Sequence, residues 1–141
     1  MLPALFDSSI YIAALRRGDD PLVAGSFGTD TTLWLSAVVL EELYAGVRQR
    51  DRDVVEGLER GFYKAGRILV PDLSDWIQTG KVLAQLAIKY GYEKIGRGRL
   101  TNDALIAMSA ARLGMSVITA NERDFGRLAE FRSFQWRVRG F

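Results

Sequence analysis

Short apolar runs alternate with longer amphipathic stretches along the whole chain. Five of the short runs predict β-strands, since each is largely apolar and ends at a polar or turn-forming residue. These predicted strands cover residues 4–6, 33–37, 67–70, 116–119 and 134–138. The amphipathic stretches between them predict helices, so strands and helices alternate in sequence.

The helical stretches show a clear period and clear ends. Leu40, Leu43, Tyr44 and Val47 lie at i, i+3, i+4 and i+7 and form one apolar stripe. Other helices are expected over residues 8–17, around 54–62, from Ser74 to about 90, from 101 or 102 to 113, and briefly from 121. The predicted helix stops are the glycines Gly18, Gly66 and Gly114.

Three local expectations accompany this pattern. The helix beginning at Ser74 is expected to present one face made of Trp76, Gly80, Leu83, Ala87 and Tyr90. Residues 25–32 are interpreted as a polar turn and residues 96–99 as a flexible basic loop. Because they fall inside strand or helix patterns, the three tryptophans are predicted to be core or interface residues; they are Trp34, Trp76 and Trp136.

Alternation of strands and helices indicates an α/β fold, with a mostly parallel sheet of about five strands covered on both faces. The chain has 141 residues and contains no internal repeat or interdomain linker, so residues 1–141 are expected to form a single domain.

Composition excludes several kinds of chemistry. The chain has neither histidine nor cysteine, which rules out Ser-His-Asp and Cys-His mechanisms, disulfides and thiolate metal sites. Its net charge of +2 is too small to diagnose nucleic-acid binding. No basic, apolar leader precedes Asp7, and no apolar run approaches membrane-spanning length, so a cytoplasmic protein with no membrane contact is expected.

Four acids fall near the expected carboxyl ends of strands. Asp7 follows the first strand, Glu42 the second, and Asp124 the fourth, while Asp103 begins the helix that leads into the fourth strand. Ligands of open α/β sheets bind at this edge. Oxygen-only ligands suit Mg²⁺ or Mn²⁺, which lower the pKa of a bound water. The pattern therefore predicts a divalent-metal site.

Each acid also has a structural interpretation. Asp7 could cap a helix, Glu42 could be a solvated surface residue, and Asp124 fits a capping pattern with Asn121. Asp103 differs, because its helix is apolar nearly all round and should be buried. A buried carboxylate is costly unless it is paired or binds a metal, so a functional interpretation is favoured there.

The chain resembles PIN-domain proteins, and in particular the VapC-type ribonuclease toxins. Four stretches in order carry the resemblance and cover nearly the whole chain: LFDSS at 5–9, LSAVVLEELYAG at 35–46, NDALIA at 102–107 and ITANERDF at 118–125.

The resemblance assigns the catalytic and metal-binding roles to the four acids Asp7, Glu42, Asp103 and Asp124. Glu41 lies beside the family's glutamate and is a control position. Family members carry the fourth acid either directly after the strand, where this chain has Asn121, or three residues later, at Asp124. The resemblance thus leaves Asn121 and Asp124 as alternatives, with Asp124 preferred. Supporting roles are expected for Ser8, Asn102, Thr119 and Asn121.

The resemblance further implies a three-layer α/β/α sandwich that hydrolyses RNA with Mg²⁺ or Mn²⁺. It implies a homodimer and a small antitoxin partner as well. Arg97 and Arg99 are candidates for binding RNA phosphates, although a solvated surface loop accounts for them equally well.

Other functions fit less well. A phosphatase of the haloacid-dehalogenase kind needs a second aspartate two residues after the first, where this chain has Ser9. No Gly-Lys-Ser/Thr motif of a P-loop occurs. A catalytically inert PIN-like scaffold that binds RNA or protein is the remaining alternative.

Overall fold

The computed structural model describes residues 2–24, 31–91 and 98–139, and only the backbone of residues 23, 24, 98 and 99. Helices flank one five-stranded sheet. The elements are β1 Leu2–Phe6, α1 Ser8–Arg16, α2 Pro21–Ala24, β2 Thr31–Ser36, α3 Ala37–Gly46, a 3₁₀ turn Gln49–Asp51, α4 Arg52–Lys64, β3 Ile68–Leu69, α5 Leu73–Tyr90, α6 Gly98–Leu113, β4 Ser116–Thr119, α7 Glu122–Ala129 and β5 Trp136–Val138.

All strand pairs are parallel, and the strand order is β3-β2-β1-β4-β5. The first strand therefore lies in the middle, with β2 on one side and β4 on the other. Because parallel crossovers are right-handed, helices before β3 cover one face and helices after it cover the other. The order reverses between β1 and β4, which is where open α/β sheets bind ligands. The α/β/α sandwich with a five-stranded sheet is confirmed.

The core is built from the central strands and the helix faces against them. Leu5, Phe6 and Val117 are fully buried in the sheet, and Ile106 of α6 is buried to the same degree. Apolar strands without alternation are expected when both faces of a parallel sheet are covered.

The predicted helix stops are confirmed, and several boundaries move. Gly66 and Gly114 have φ angles of 69° and 67°, a left-handed conformation that a side chain would disfavour. Part of the expected polar turn was wrong, because Thr31 and Thr32 pair with β1 as the start of β2. The basic loop was also partly wrong, because Gly98 and Arg99 belong to α6, while residues 96–97 lie outside the described residues.

The buried face of α5 agrees with the expected one at Ala87, Leu83 and Tyr90 and differs from it nearer the start of the helix. Asp75, Thr79, Val82 and Leu86 point inward, whereas Trp76 is 54% exposed and is not a core residue. Asp75 can be buried because Arg112 of α6 donates to both of its oxygens at 3.0–3.1 Å. Trp34 and Trp136 are partly buried against the core, as predicted.

None of the described helices is both long enough and apolar enough to cross a bilayer.

Candidate active site

Asp7 lies where β1 gives way to α1, at the middle of the sheet's carboxyl edge. Its backbone N–H donates to Ile118 of β4 at 3.0 Å, which extends the strand pairing by one residue. The side chain is 2% exposed and makes no capping bond to α1. Instead, its oxygens accept from the hydroxyls of Ser9 at 2.5 Å and Thr119 at 2.7 Å. The backbone N–H groups of Ser9 and Ile10 in the first turn of α1 also favour the charged form of Asp7, so the capping interpretation describes only part of its surroundings.

The pKa of the Asp7 carboxyl is raised above its usual range. Burial is the larger cause, because it removes the charged form from water. The hydrogen bonds from Ser9 and Thr119 oppose this effect by stabilising the carboxylate. The fold thus holds a carboxylate in a place that disfavours its charge, and a cation would relieve that cost.

A chain of hydrogen bonds leads from Asp7 to Asp124. The hydroxyl of Thr119 donates to Asp7 and accepts from the backbone N–H of Asn121 at 2.8 Å. The side-chain amide of Asn121 then donates to Asp124 at 2.9 Å. Asn121 also caps α7 by accepting from the backbone N–H of Asp124 at 3.4 Å. The capping interpretation is thus confirmed, and the same residues connect the β4 end to Asp7.

Glu42 lies on the other side of Asp7 and is half-buried, which differs from a fully solvated surface residue. Burial raises the pKa of Glu42, and the negative charges of Asp7 and Glu41 raise it further. Asn102 and Ser8 favour the charged form by hydrogen bonding. Its Oε1 is buried and accepts no hydrogen bond from any residue that the structure describes.

Asp103 is 3% exposed near the start of α6, so its predicted burial is confirmed. Its neighbour in sequence, Asn102, reaches Glu42. The second half of the chain therefore contributes to this region through both α6 and β4.

The described contacts form two sets. One contains Asp7, Thr119, Asn121 and Asp124, and the other contains Glu42 with Ser8 and Asn102. Within residues 2–24, 31–91 and 98–139, no three acids are arranged so that they could hold a metal ion together. The donor chemistry nevertheless fits a hard divalent cation, because the oxygens are carboxylates and one buried oxygen of Glu42 has no hydrogen-bond partner among the described residues.

Of the two arginines predicted to bind RNA, Arg97 lies outside the described residues, as does the side chain of Arg99. Ser9 was missed by the sequence analysis as a site residue. It donates to Asp7 and accepts from the backbone N–H of Ala120 at 3.0 Å, thereby joining the ends of β1 and β4. A serine two residues after an aspartate at a helix start is the signal that could have identified it.

The chain matches known proteins through its family and its fold. The family model described as the PIN domain matches residues 4–131. Among curated proteins, none matches the chain at a significant level.

Three solved structures show the similarity of fold. DNA-bound VapBC from Salmonella typhimurium aligns with 24% identity and a TM-score of 0.69, covering 98% of this chain and 98% of that chain. VapBC2 from Rickettsia felis, bound to a promoter DNA fragment, aligns with 19% identity and a TM-score of 0.68, covering 99% and 100%. VapBC-5 of Mycobacterium tuberculosis, from a family of toxin–antitoxin systems, aligns with 22% identity and a TM-score of 0.52, covering 98% and 98%.

At these identities the solved structures indicate a shared fold alone. The family model reaches further, because its match contains β2, β3, β4 and most of β1, and it includes every candidate carboxylate; β5 lies beyond the matched residues. The chain therefore belongs to the PIN domain family.

Proposed function

We propose that the protein is a divalent-metal-dependent endoribonuclease and the toxin of a toxin–antitoxin pair. The observation that carries the proposal is the buried Asp7 carboxylate at the switch point of the sheet, with a raised pKa and hydroxyl donors on both oxygens. Membership of the PIN domain family supports the same chemistry. A cytoplasmic location agrees with an RNA substrate.

Asp7, Glu42 and Asp103 are the residues that would hold Mg²⁺ or Mn²⁺, with Asp124 in an outer or second-ion role. A bound divalent ion would offset the phosphate charge and lower the pKa of a water molecule, which supplies the nucleophile for hydrolysis. That role is consistent with the mutual repulsion of Asp7 and Glu42.

The remaining polar residues orient these acids. Ser9 and Thr119 direct the two oxygens of Asp7, so its orientation is set by both β1 and β4. Asn102 and Ser8 orient Glu42, and Asn121 orients Asp124. Preorganisation of this kind places charged groups before the substrate binds.

The test is cleavage of mixed structured RNAs by purified protein with Mg²⁺, Mn²⁺ or EDTA, beside Asp7→Asn and Asp103→Asn. We expect metal-dependent cleavage that falls at least about 100-fold in both variants, as for loss of a key charged group. Calorimetric Mn²⁺ titration gives a second readout. Wild-type rates in either variant would overturn that residue's assignment.

An inert scaffold is the second candidate, and one observation favours it: within the described parts of the chain, no three acids are arranged to hold a metal ion. A scaffold would bind neither Mg²⁺ nor Mn²⁺ and would cleave no RNA. Metal binding in the titration therefore separates the two candidates even if the enzyme cleaves only a few specific RNAs and none of those tested.

An antitoxin partner is part of the proposal, supported by the VapBC names of proteins that share the fold. The α2–α4 groove offers it a surface. This groove has a volume of about 620 Å³ and is lined by Leu22, Val54, Phe62 and Arg67, together with the acids Asp19 and Asp20. Arg67 Nε is buried there and makes no hydrogen bond among the described residues. We propose that an amphipathic partner segment fills the groove and offers Arg67 a carboxylate.

We also propose a homodimer. On α5, Leu73, Trp76, Ile77 and Ile88 are exposed. Exposed apolar groups of this kind mark association surfaces when they are contiguous, so α5 is the surface assigned to the second copy. Equilibrium sedimentation of the wild type and Trp76→Glu tests this assignment; a monomeric wild type would contradict it.

A further inference from the structure

A second groove leaves the candidate active site between α1 and α3. It has a volume of about 520 Å³, and its inner end is formed by Ser8, Glu42 and Asn102, which belong to the site itself. Because α1 and α3 both start at carboxyl ends of neighbouring parallel strands, they extend in a similar direction away from that edge. The α1–α3 groove is therefore an open path from the carboxylates to the protein surface.

Part of the lining of the α1–α3 groove is apolar. Ile12 and Ala13 of α1 line it together with Ala45 and Gly46 of α3. Small residues on both helices leave room for a flat or extended group, and Ile12 supplies apolar contact. A space of this size suits a small ligand-sized unit, which would be an unpaired nucleotide and not a double helix.

Arg16 stands at the outer end of the groove. It lies eight residues after Ser8 on α1, which corresponds to about 12 Å along a helix. Two neighbouring arginines are already committed: Arg17 pairs with Asp19 at 3.1 Å, and Arg48 pairs with Asp51 at 2.9 Å while donating to Leu15. Arg16 makes no ion pair within the described part of the chain. Its guanidinium is thus available to an anion from outside.

We propose that the α1–α3 groove binds single-stranded RNA on its way to the carboxylates, with Arg16 binding a backbone phosphate beyond the scissile one. This inference rests on the proposed ribonuclease function and extends it to a strand path and a substrate form. Unpaired nucleotides can enter such a groove, whereas an RNA double helix is recognised by its shape across its wide, shallow minor groove. Arg16 is a binding residue in this scheme and takes no part in the reaction.

Glu41 lines the same groove and is exposed. Its charge also raises the pKa of Glu42, so it is not the neutral control position that its sequence context indicates. A carboxylate beside the groove in which the RNA strand is proposed to lie repels the phosphates of that RNA. Removing it should therefore have the opposite effect on RNA binding from removing Arg16.

Fluorescence anisotropy with a labelled single-stranded RNA in EDTA, where metal-dependent cleavage cannot occur, measures the proposed contact directly. Arg16→Ala should weaken binding about tenfold, the usual loss for a charge-assisted hydrogen bond. It should also lower the slope of log K against log salt by about 0.7, the value for one phosphate of a single strand. Arg16→Lys should retain most of the affinity, and Glu41→Gln should raise it.

The matched control is Arg17→Ala, which removes an adjacent arginine that does not line the groove. Equal effects of Arg16→Ala and Arg17→Ala, or equal binding of duplex and single-stranded RNA, would overturn the inference. Steady-state cleavage with Mg²⁺ should show a raised KM and an unchanged kcat for Arg16→Ala.

Failure of the inference is distinguishable from failure of the proposed function. If the wild type cleaves RNA and Arg16→Ala cleaves it equally well, RNA binding in the α1–α3 groove is rejected and the proposed ribonuclease function is retained. Absence of wild-type cleavage together with Arg16-dependent binding in EDTA rejects the reaction and keeps the groove. Absence of both rejects both.

Discussion

Burial raises the pKa of Asp7, because the carboxylate at the end of β1 is removed from water and only partly compensated by Ser9 and Thr119. In the metal-free protein this has a thermodynamic consequence. Below the usual pKa near 3.8, both the folded and the unfolded protein carry a neutral Asp7. As the pH rises, the unfolded chain ionises first, so folding loses stability until the folded pKa is passed.

Asp7→Asn should therefore raise the unfolding midpoint of the metal-free protein at pH 7 while lowering RNA cleavage at least about 100-fold. The gain in stability arises because the amide fills the same space without a buried charge. Thermal unfolding in EDTA at several pH values measures it, and the difference from wild type should shrink as the pH falls towards 4.

Asp53→Asn is the control, because Asp53 is exposed on α4. It should change the midpoint at pH 7 much less than Asp7→Asn does, because its carboxylate is already in water. An Asp7→Asn midpoint below that of the wild type at pH 7 would contradict the stated cost of burying the charge.

For single residues, the sequence predicts whether a side chain is buried better than it predicts which distant residues that side chain contacts. The apolar surroundings of Asp103 in its helix indicate its burial, and the structure confirms it. Glu42 lies off the apolar stripe of α3 and still becomes half-buried, because α6 brings Asn102 against it. Contacts between elements distant in sequence leave no local pattern in the sequence. Neither the contact of Asn102 with Glu42 nor the hydrogen bonds of Ser9 between the ends of β1 and β4 could therefore be predicted.

Among whole elements, Arg112 of α6 forms ion pairs with Asp75 of α5 and with its N-cap residue Asp72. Asp75 of α5 is 2% exposed and accepts two-pronged hydrogen bonds from Arg112 of α6. The Asp75 carboxylate also accepts from the backbone of Asp72, which completes a capping box at the start of α5. The pair thus fixes both the beginning of one helix and the end of another.

Arg112→Leu should cost about 3 kcal/mol in the free energy of unfolding, since it leaves a buried carboxylate without its cation. The value lies at the low end of the usual range because the Arg112 side chain is 31% exposed. Denaturant unfolding gives the free energy. Catalytic constants of the folded protein should change little, because Arg112 is at the opposite end of α6 from Asp103.

Arg52→Leu is the matched control, because it breaks an exposed pair with Glu56 four residues on. Such pairs contribute about 0.3–0.5 kcal/mol. Equal destabilisation by the two variants would show that the burial of Asp75 does not increase the contribution of its ion pair to the free energy of unfolding.

The buried face of α5 also shows why helical period alone misplaces a face. The expected face began at Trp76, whereas the observed one begins one residue earlier at Asp75 and includes Thr79. Asp75 and Thr79 are polar but buried, so a search for apolar residues alone places the buried face of the helix one residue too late. The helix ends were predictable, because Gly66 and Gly114 act locally.

On the scale of the whole molecule, the α2–α4 groove shares no lining residue with the α1–α3 groove that leads from the candidate site. We expect a product of a gene flanking this one to inhibit RNA cleavage, and Val54→Glu to weaken that inhibition at least about tenfold by placing a charge in the groove. Inhibition constants for the flanking products measure this.

Val70→Glu is the control, because Val70 is exposed but does not line the groove. Basal cleavage should be unaffected by either substitution. Equal inhibition of both variants would place the partner elsewhere on the protein.

Alternation of strands and helices was enough to predict the α/β class and about five parallel strands. The strand order was not predictable, because it depends on which strands pair across long stretches of chain. Both neighbours of β1 are set in this way: β2 follows early in the sequence, while β4 comes near the end.

The central position of β1 has a consequence for how the protein is made. Thr119, which holds the Asp7 carboxylate, is 112 residues further along the chain. At usual rates of synthesis, roughly 5 to 20 seconds separate the appearance of these two residues on the ribosome. Until β4 emerges, β1 has one unpaired edge and Asp7 lacks its partner. If Asp7 acts as proposed, we expect a nascent chain to cleave RNA only after its last quarter, which contains β4 and Thr119, has been translated.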